Sequence, residues 1–126
     1  MRILVVDDEK DVQPLFEQKF RKEIRARKIA LAFASSGTEA INYLNEHAAD
    51  TPLVLSDINM PGMSGLELLR HIKQEKSVQP PPKVVMITAY GDEENYQLAK
   101  HLGADEFLTK PLDFNLLKEK LHIESV

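Results

Sequence analysis

The chain of 126 residues contains no cysteine and no tryptophan, and aromatic residues make up only 6% of it. The lack of cysteine excludes disulfides, thiolate metal sites and cysteine nucleophiles. No hydrophobic run approaches the roughly 20 residues of a membrane-spanning helix, and the N-terminus shows no signal-peptide pattern. The net charge of -4 provides no excess of positive charge for binding nucleic acid. We therefore expect a cytoplasmic protein that contacts neither nucleic acid nor a membrane directly.

The histidines also lack a pattern typical of metal sites. The chain has four of them, and no two are four residues apart, the spacing that brings two imidazoles to one helix face. We expect them to be solvated helix residues.

Strand and helix patterns alternate along the chain. The predicted strands cover residues 3–6, 29–34, 53–55, 84–87 and 106–108, and helical spacing of apolar residues follows each of them, first over residues 11–25. Such alternation predicts an α/β fold with a five-stranded parallel sheet covered by helices on both faces. Among the topologies with right-handed crossovers we choose the flavodoxin-like (βα)5 order, 2-1-3-4-5.

The length predicts one domain. Ser64 and Asp113 are predicted to cap helices, and Gly103 to follow the end of one. Three successive prolines make residues 77–82 the clearest loop. Residues 122–126 have no evident packing partner, so we expect a tail or the start of a linker to an output domain.

Polar side chains follow four of the predicted strands, at the point where each strand ends. Asp7 and Asp8 follow the first strand, Asp57 the third, Thr88 the fourth and Lys110 the fifth. In an open parallel sheet, ligands bind in the crevice at the carboxyl ends of the strands. Three carboxylates, one hydroxyl and one ammonium should therefore meet at one edge, as in a metal-assisted site for phosphoryl transfer.

The chemistry of this set favours a hard divalent cation. Adjacent carboxylates repel one another unless a cation lies between them, and oxygen ligands without histidine or cysteine favour Mg²⁺ or Mn²⁺ over zinc. A carboxylate can also be a nucleophile that forms an aspartyl-phosphate, while an ammonium and a hydroxyl can hold phosphoryl oxygens. Taken singly, each of these residues is as typical of a helix cap, a turn or an exposed surface as of a functional site. Their joint occurrence favours the functional interpretation.

Four motifs make the resemblance specific, namely residues 5–9 (VVDDE), 56–65 (SDINMPGMSG), 87–89 (ITA) and 108–111 (LTKP). Together they resemble the receiver domain of two-component response regulators, similar to the single-domain chemotaxis type. The match runs from about residue 2 to about residue 121, so residues 1–121 would form the receiver domain.

The resemblance implies a role for each acidic residue. Asp57 resembles the phosphoacceptor. Asp8, Asp57 and the main-chain carbonyl of Asn59 look like direct Mg²⁺ ligands, and Asp7 resembles the residue that holds the ion partly through water. Mn²⁺ could take the place of Mg²⁺.

The resemblance also implies residues that respond to phosphorylation by a conformational switch. Thr88 resembles the switch hydroxyl and Lys110 the ammonium that pairs with the phosphoryl group. Phe107 matches the aromatic switch position, without the hydroxyl that tyrosine would have there. Ala89 fits the small position beside the phosphoryl group.

Two further features of the site concern its surroundings. Asn59 and Tyr90 occupy positions whose variation in the family tunes the lifetime of the phosphoryl group, and we hypothesise that Tyr90 partly shields that group from water. The family also implies a cis peptide bond between Lys110 and Pro111.

The resemblance predicts a signalling switch rather than an enzyme, since it would catalyse only its own phosphorylation and dephosphorylation. The expected partners are a sensor histidine kinase or a histidine phosphotransfer protein, an output domain or downstream protein, and a second copy in a phosphorylation-dependent homodimer. The expected readout surface is the fourth helix, fifth strand and fifth helix, with Asn95, Lys100, Glu106 and Lys118.

Two alternatives remain at this point. One is a constitutive interaction module with a receiver fold, although an intact set of acidic, hydroxyl and ammonium residues argues against it. The other is a Mg²⁺-dependent phosphohydrolase with an aspartate nucleophile. Enzymes of that kind resemble haloacid dehalogenases and need an acid two residues after the nucleophile, where this chain has Asn59.

Overall fold

The structure is a computed structural model, and it describes residues 1–60, 62–75, 78–89 and 91–123. Its strands are β1 (Arg2–Val6), β2 (Ala30–Ala34), β3 (Leu53–Asp57), β4 (Lys83–Thr88) and β5 (Glu106–Thr109). Its α-helices are α1 (Val12–Lys19), α2 (Arg21–Arg25), α3 (Gly37–His47), α4 (Gly65–Lys73), α5 (Glu93–His101) and α6 (Phe114–Lys120). A 3-10 turn over Ala48–Asp50 follows α3. In the part of the chain that the structure describes, no helix is both long and apolar enough to cross a membrane.

All five strands form one parallel sheet in the order β2-β1-β3-β4-β5, which confirms the predicted fold and topology. The strands end almost level with one another. Val6 pairs with Ser56 of β3, and Thr88 pairs with Thr109 of β5. The residues that follow β1, β3, β4 and β5 are therefore delivered to one edge of the sheet.

Alternate residues of the strands supply two hydrophobic clusters on opposite faces of the sheet. Leu4 and Val6 belong to the cluster that includes α3, α4 and α5, whereas Ile3 and Val5 belong to the one that includes α1 and α6. Successive side chains of a strand point to opposite faces, so a strand covered on both faces needs an unbroken apolar run. This accounts for the run over residues 3–6.

The prediction of one helix over residues 11–25 is wrong, because the helix is interrupted at Phe20. Phe20 has φ -107° and ψ 14°, which divides the segment into α1 and α2. Its ring is fully buried and packs 6.0 Å from the rings of both Phe16 and Phe114. The apolar spacing from Phe16 to Ile24 continues through the interruption, so periodicity does not reveal it. The second to fifth predicted helices are consequently α3 to α6.

The helix boundaries otherwise follow the predicted capping residues. The Ser64 side chain accepts a hydrogen bond from the Glu67 amide at 3.2 Å, and Asp113 accepts bonds from the amides of Asn115 and Leu116. Gly103 has φ +98° after the end of α5, a conformation that favours glycine.

The C-terminal end differs from expectation at Ile123. This residue is only 8% exposed and lies in the cluster with α1 and α6, and its amide donates to the Lys118 carbonyl at 2.8 Å. The packed region therefore includes residue 123. The remaining residues of the predicted tail, 124–126, lie outside the described residues.

Candidate functional site

The carboxyl edge of the sheet brings together residues that are far apart in sequence. Asp57 and Thr88 are the last residues of β3 and β4, Asp7 and Asp8 directly follow β1, and Lys110 directly follows β5. The parallel register places these strand ends side by side. This is the edge at which ligands bind in open α/β sheets.

Three carboxylates converge at this edge. One oxygen from each of Asp7, Asp8 and Asp57 can be chosen so that all three lie within 4.8 Å of one another. Asp57 is buried, with 4% exposure, Asp7 is half-buried and Asp8 is exposed. The donor set consists of hard oxygens with one side open to solvent, which fits Mg²⁺ or Mn²⁺, ions that keep several waters when bound.

The electrostatics of Asp7 reflect this crowding. Burial raises the pKa of the Asp7 carboxyl above its ordinary value, and the negative charge of Asp57 raises it further. The larger opposing effect on the pKa comes from the amide of Glu9, which donates a 2.9 Å hydrogen bond to Asp7 Oδ1, and the charge of Lys110 adds a smaller one. The cluster therefore holds its negative charge at a cost that a bound cation would offset.

Lys110 provides a positive charge beside Asp57. Its Nζ donates a 2.9 Å hydrogen bond to Asp57 Oδ2, from a side chain that is 42% exposed. Burial alone would lower the pKa of Lys110, but the hydrogen bond and charge of Asp57, with the charges of Asp7 and Glu9, raise it overall. Lys110 is therefore a cation at neutral pH, placed where it can meet an incoming anion.

Thr88 and Phe107 lie on adjacent strands behind the carboxylates. Thr88 is buried, and its hydroxyl donates to the Leu108 carbonyl at 3.4 Å, a long and weak hydrogen bond. Phe107 is half-buried, and its ring centroid lies 4.6 Å from that of Tyr96 on α5. The weakly held Thr88 hydroxyl thus bonds β5 one residue after Phe107, whose ring contacts α5.

The backbone around Asp57 is closely packed. The Ser56 hydroxyl donates to the Asp57 carbonyl at 3.0 Å, and the Gly65 amide donates to the Ile58 carbonyl at 2.8 Å. A Cβ at position 65 would lie 2.0 Å from the Asp57 carbonyl oxygen. Only glycine allows α4 to begin so close to the end of β3.

The remaining predicted site residues surround this core. Asn59 and Ala89 are exposed, two residues after Asp57 and one after Thr88. The peptide bond between Lys110 and Pro111 is cis. Tyr90 lies outside the described residues.

The expected readout surface corresponds to α5, β5 and α6. Lys120 of α6 donates to Glu106 Oε1 at 3.2 Å and to the Phe107 carbonyl at 3.0 Å, which ties α6 to β5. The assignment of Lys118 to this surface is wrong. Its ammonium instead pairs with the buried Glu23 of α2, at 3.1 Å, on the side where α6 faces α2.

Sequence reasoning missed the Glu23–Lys118 pair entirely. The two residues are 95 positions apart, and the charged run around Glu23 is typical of an exposed helix. The only available signal was that Glu23 lies between the apolar residues Phe20 and Ile24.

Comparison with known proteins gives one consistent result. Residues 3–122 match the family model described as the response regulator receiver domain. The chain is 34% identical over 111 residues to the response regulator RppA of Synechocystis sp., a match that covers 88% of this chain and 44% of that protein. It is 32% identical over 118 residues to sporulation initiation phosphotransferase F of Bacillus subtilis, covering 94% of this chain and 88% of that protein. This chain thus spans less than half the length of RppA.

A solved structure gives the same result for the fold. The response regulator receiver domain protein from Clostridium thermocellum superimposes with a TM-score of 0.82 at 30% identity, and the match covers 96% of this chain and 90% of that one.

Proposed function

The chain belongs to the response regulator receiver domain family, and from that premise we propose that it accepts a phosphoryl group on Asp57 and transmits the change to α5, β5 and α6. Receiver domains are modules of two-component systems. The donor we propose is a phosphohistidine on a sensor histidine kinase or a phosphotransfer protein. The proposed recipient of the signal is an output domain or a separate downstream protein.

One observation supports this proposal above the others. The buried carboxylate of Asp57 lies within 4.8 Å of two further carboxylates and is paired at 2.9 Å with Lys110. A carboxylate so placed is a nucleophile with both a cation site and a fixed ammonium beside it. The buried position also limits the access of water to an acyl phosphate formed there.

The transfer step is a single displacement at phosphorus. A carboxylate oxygen of Asp57 attacks, a P–O bond forms and the P–N bond of the phosphohistidine breaks, with its electron pair remaining on the imidazole. Lys110 Nζ, 2.9 Å from Asp57 Oδ2, would donate to the phosphoryl oxygens on which charge accumulates. Asp7, Asp8, Asp57 and the Asn59 carbonyl would hold Mg²⁺, which supplies positive charge that offsets the repulsion between carboxylate and phosphoryl group.

The signal is a shift between two conformations of the β4–β5 edge. The phosphoryl group offers Thr88 and Lys110 acceptors stronger than those they have now, since hydrogen bonds to an ionised oxygen are shorter and stronger. Thr88 would leave the 3.4 Å bond to Leu108, and the Phe107 ring would move inward behind it. That movement breaks or rearranges the ring contact with Tyr96, and so changes the surface of α5. A second copy of the chain is one partner that the changed surface could bind.

The phosphohydrolase alternative is less well supported. Asn59 occupies the position at which such an enzyme needs an acid, and an amide cannot donate and recover a proton in that way. A constitutive interaction module would differ from the proposed switch in one respect, because it would form no acyl phosphate.

Labelling tests the proposal directly. Acetyl phosphate with Mg²⁺ should add one phosphoryl group to the wild-type chain by intact mass, and Asp57→Ala should abolish that addition. Asp50→Ala is the matched control, because Asp50 is exposed and lies beyond the opposite end of β3. Unchanged labelling of Asp57→Ala would refute the assignment, and a wild-type chain that is never labelled would favour the constitutive module.

A further inference from the structure

Gly37, the first residue of α3, is buried at a point where its backbone does not require glycine. Its φ is not among the positive values of this chain, which are confined among glycines to Gly62, Gly91 and Gly103. Any L-residue could adopt that conformation, and alanine is a better helix former than glycine. The reason for a glycine at position 37 must therefore be the space around it.

That space is filled by Met63 from the loop between β3 and α4. A Cβ on Gly37 would lie 2.7 Å from Met63 Cγ, 2.8 Å from Sδ and 2.9 Å from Cβ. The flexible end of a methionine can move aside, but its Cβ is fixed by the backbone. A side chain at position 37 would therefore displace the loop itself.

The same loop carries part of the phosphorylation site. It begins at Asp57 and Ile58 and ends where the Gly65 amide donates to the Ile58 carbonyl at 2.8 Å. Inside this closed loop, Met60 and Met63 pack against the hydrophobic cluster on the α3 side of the sheet. Asn59, whose carbonyl is the proposed third metal ligand, lies between Ile58 and these two anchors.

We propose that the contact between Gly37 and Met63 positions the β3–α4 loop for metal binding, so that both are positioning residues of the phosphorylation site. The proposal rests on the proposed function, because it concerns the metal site of that function. Neither side chain touches the metal or the phosphoryl group. Gly37 belongs to the first turn of α3, whose N-cap Ser36 accepts a bond from the Glu39 amide at 3.1 Å, and the Met63 side chain lies against the backbone of Gly37.

The test compares Gly37→Ala, Met63→Ala and the double variant with wild type, with Thr38→Ala as the matched control in the same turn of α3. Thr38 is exposed, so this control changes the helix without reaching Met63. Mn²⁺ is the probe, and the free ion is counted by its electron paramagnetic resonance signal. Amide NMR shifts of Ile58, Asn59 and Gly65 in the metal-free chain report the loop without any ion.

Gly37→Ala should weaken Mn²⁺ binding by roughly 10-fold, the lower end of the effect of residues that orient metal ligands. It should also shift the loop amides before metal is added. The double variant should recover part of both effects, because truncating Met63 removes two of the three close atoms and leaves its Cβ, which would still lie 2.9 Å from the added one. Met63→Ala alone should weaken binding by a smaller factor, and Thr38→Ala should leave both readouts unchanged.

Two results would overturn the proposal. One is wild-type Mn²⁺ affinity and unshifted loop amides in Gly37→Ala, with the higher melting temperature that helix propensity alone predicts. The other is a double variant no better than Gly37→Ala. If Gly37→Ala does not fold, Met63→Ala provides the test instead. Mn²⁺ affinity and loop amide shifts equal to those of wild type in Met63→Ala would then contradict the proposal. These readouts need no phosphoryl transfer, so a wild-type chain that binds Mn²⁺ but is never labelled at Asp57 would contradict the proposed function alone.

Discussion

The Nζ of Lys110 lies 2.9 Å from Oδ2 of Asp57, although the two residues are 53 positions apart in sequence. The contact joins the ends of β3 and β5 across β4, the strand that carries Thr88. The Lys110 ammonium is thus bonded to the proposed phosphoacceptor, Asp57, and lies at the end of β4 and β5, the two strands of the proposed switch.

Replacing Lys110 should slow phosphorylation more than it affects folding. In Lys110→Ala the phosphoryl oxygens lose a fixed positive charge, and the initial rate of labelling by acetyl phosphate should fall by about 100-fold, as when one preorganised donor is removed. Lys100→Ala, an exposed lysine of α5, should label at the wild-type rate. A Lys110→Ala rate within twofold of wild type would show that Lys110 does not act on the reacting group.

Asp7→Asn should stabilise the metal-free chain at pH 7. The pKa of Asp7 is raised in the folded state, chiefly by burial, so the charged carboxylate costs stability. This cost begins as pH rises above the unfolded value of 3.8 and is complete once the pH exceeds the folded pKa. Melting temperatures of wild type and Asp7→Asn should therefore converge as the pH falls below about 3.8.

Mg²⁺ should reverse the order of these two proteins. The wild-type chain gains stability from the bound ion by mass action, whereas Asp7→Asn offers one carboxylate fewer. Asp50→Asn, at an exposed position far from the site, should follow wild type with and without metal. Equal Mg²⁺-dependent gains in wild type and Asp7→Asn would exclude Asp7 from the metal site.

Gly65→Ala should destabilise the chain by about 1–3 kcal/mol, the usual cost of overpacking. The added Cβ would meet the Asp57 carbonyl oxygen at 2.0 Å, and that backbone atom cannot move without moving the site. Gly62→Asn is the control, because Gly62 has φ +73° with open space around it and asparagine tolerates that conformation. Urea unfolding should show a small effect for the control, and a similarly small effect for Gly65→Ala would contradict the close approach.

The buried pair of Glu23 and Lys118 should be worth more to stability than the partly exposed pair of Glu106 and Lys120. Lys118→Met should cost about 3 kcal/mol, because it removes the ammonium that pairs with the Glu23 carboxylate, which is only 2% exposed. Lys120→Met should cost less than about 1 kcal/mol, since its partner is 44% exposed. The double variant Glu23→Leu with Lys118→Met should recover part of the loss in urea unfolding, and a Lys118→Met cost no larger than that of Lys120→Met would contradict the account.

The strands and the convergence of the site could be predicted because both follow from local patterns, whereas the strand order is a choice among the topologies with right-handed crossovers. Apolar runs such as residues 3–6 mark buried strands, and a parallel sheet necessarily brings their carboxyl ends to one edge. Caps such as Ser64 and Asp113 are equally local. The side-chain roles at the site depended on the family resemblance as well.

Features that depend on contacts between distant residues could not be predicted. The helix is interrupted at Phe20, whose ring packs against Phe114, 94 positions later, and the interruption leaves the apolar period intact. The position of Lys118 depends on Glu23 in the same way. The space beside Gly37 appears only once the β3–α4 loop has been placed.

The site of phosphorylation itself is the most direct test. After the Mg²⁺-loaded chain has reacted with acetyl phosphate, borohydride reduces an aspartyl phosphate to homoserine, and peptide mass spectrometry locates that residue. We predict homoserine at position 57 and nowhere else. Homoserine at position 7 or 8, or its absence from a fully folded and metal-loaded chain, would contradict the central claim.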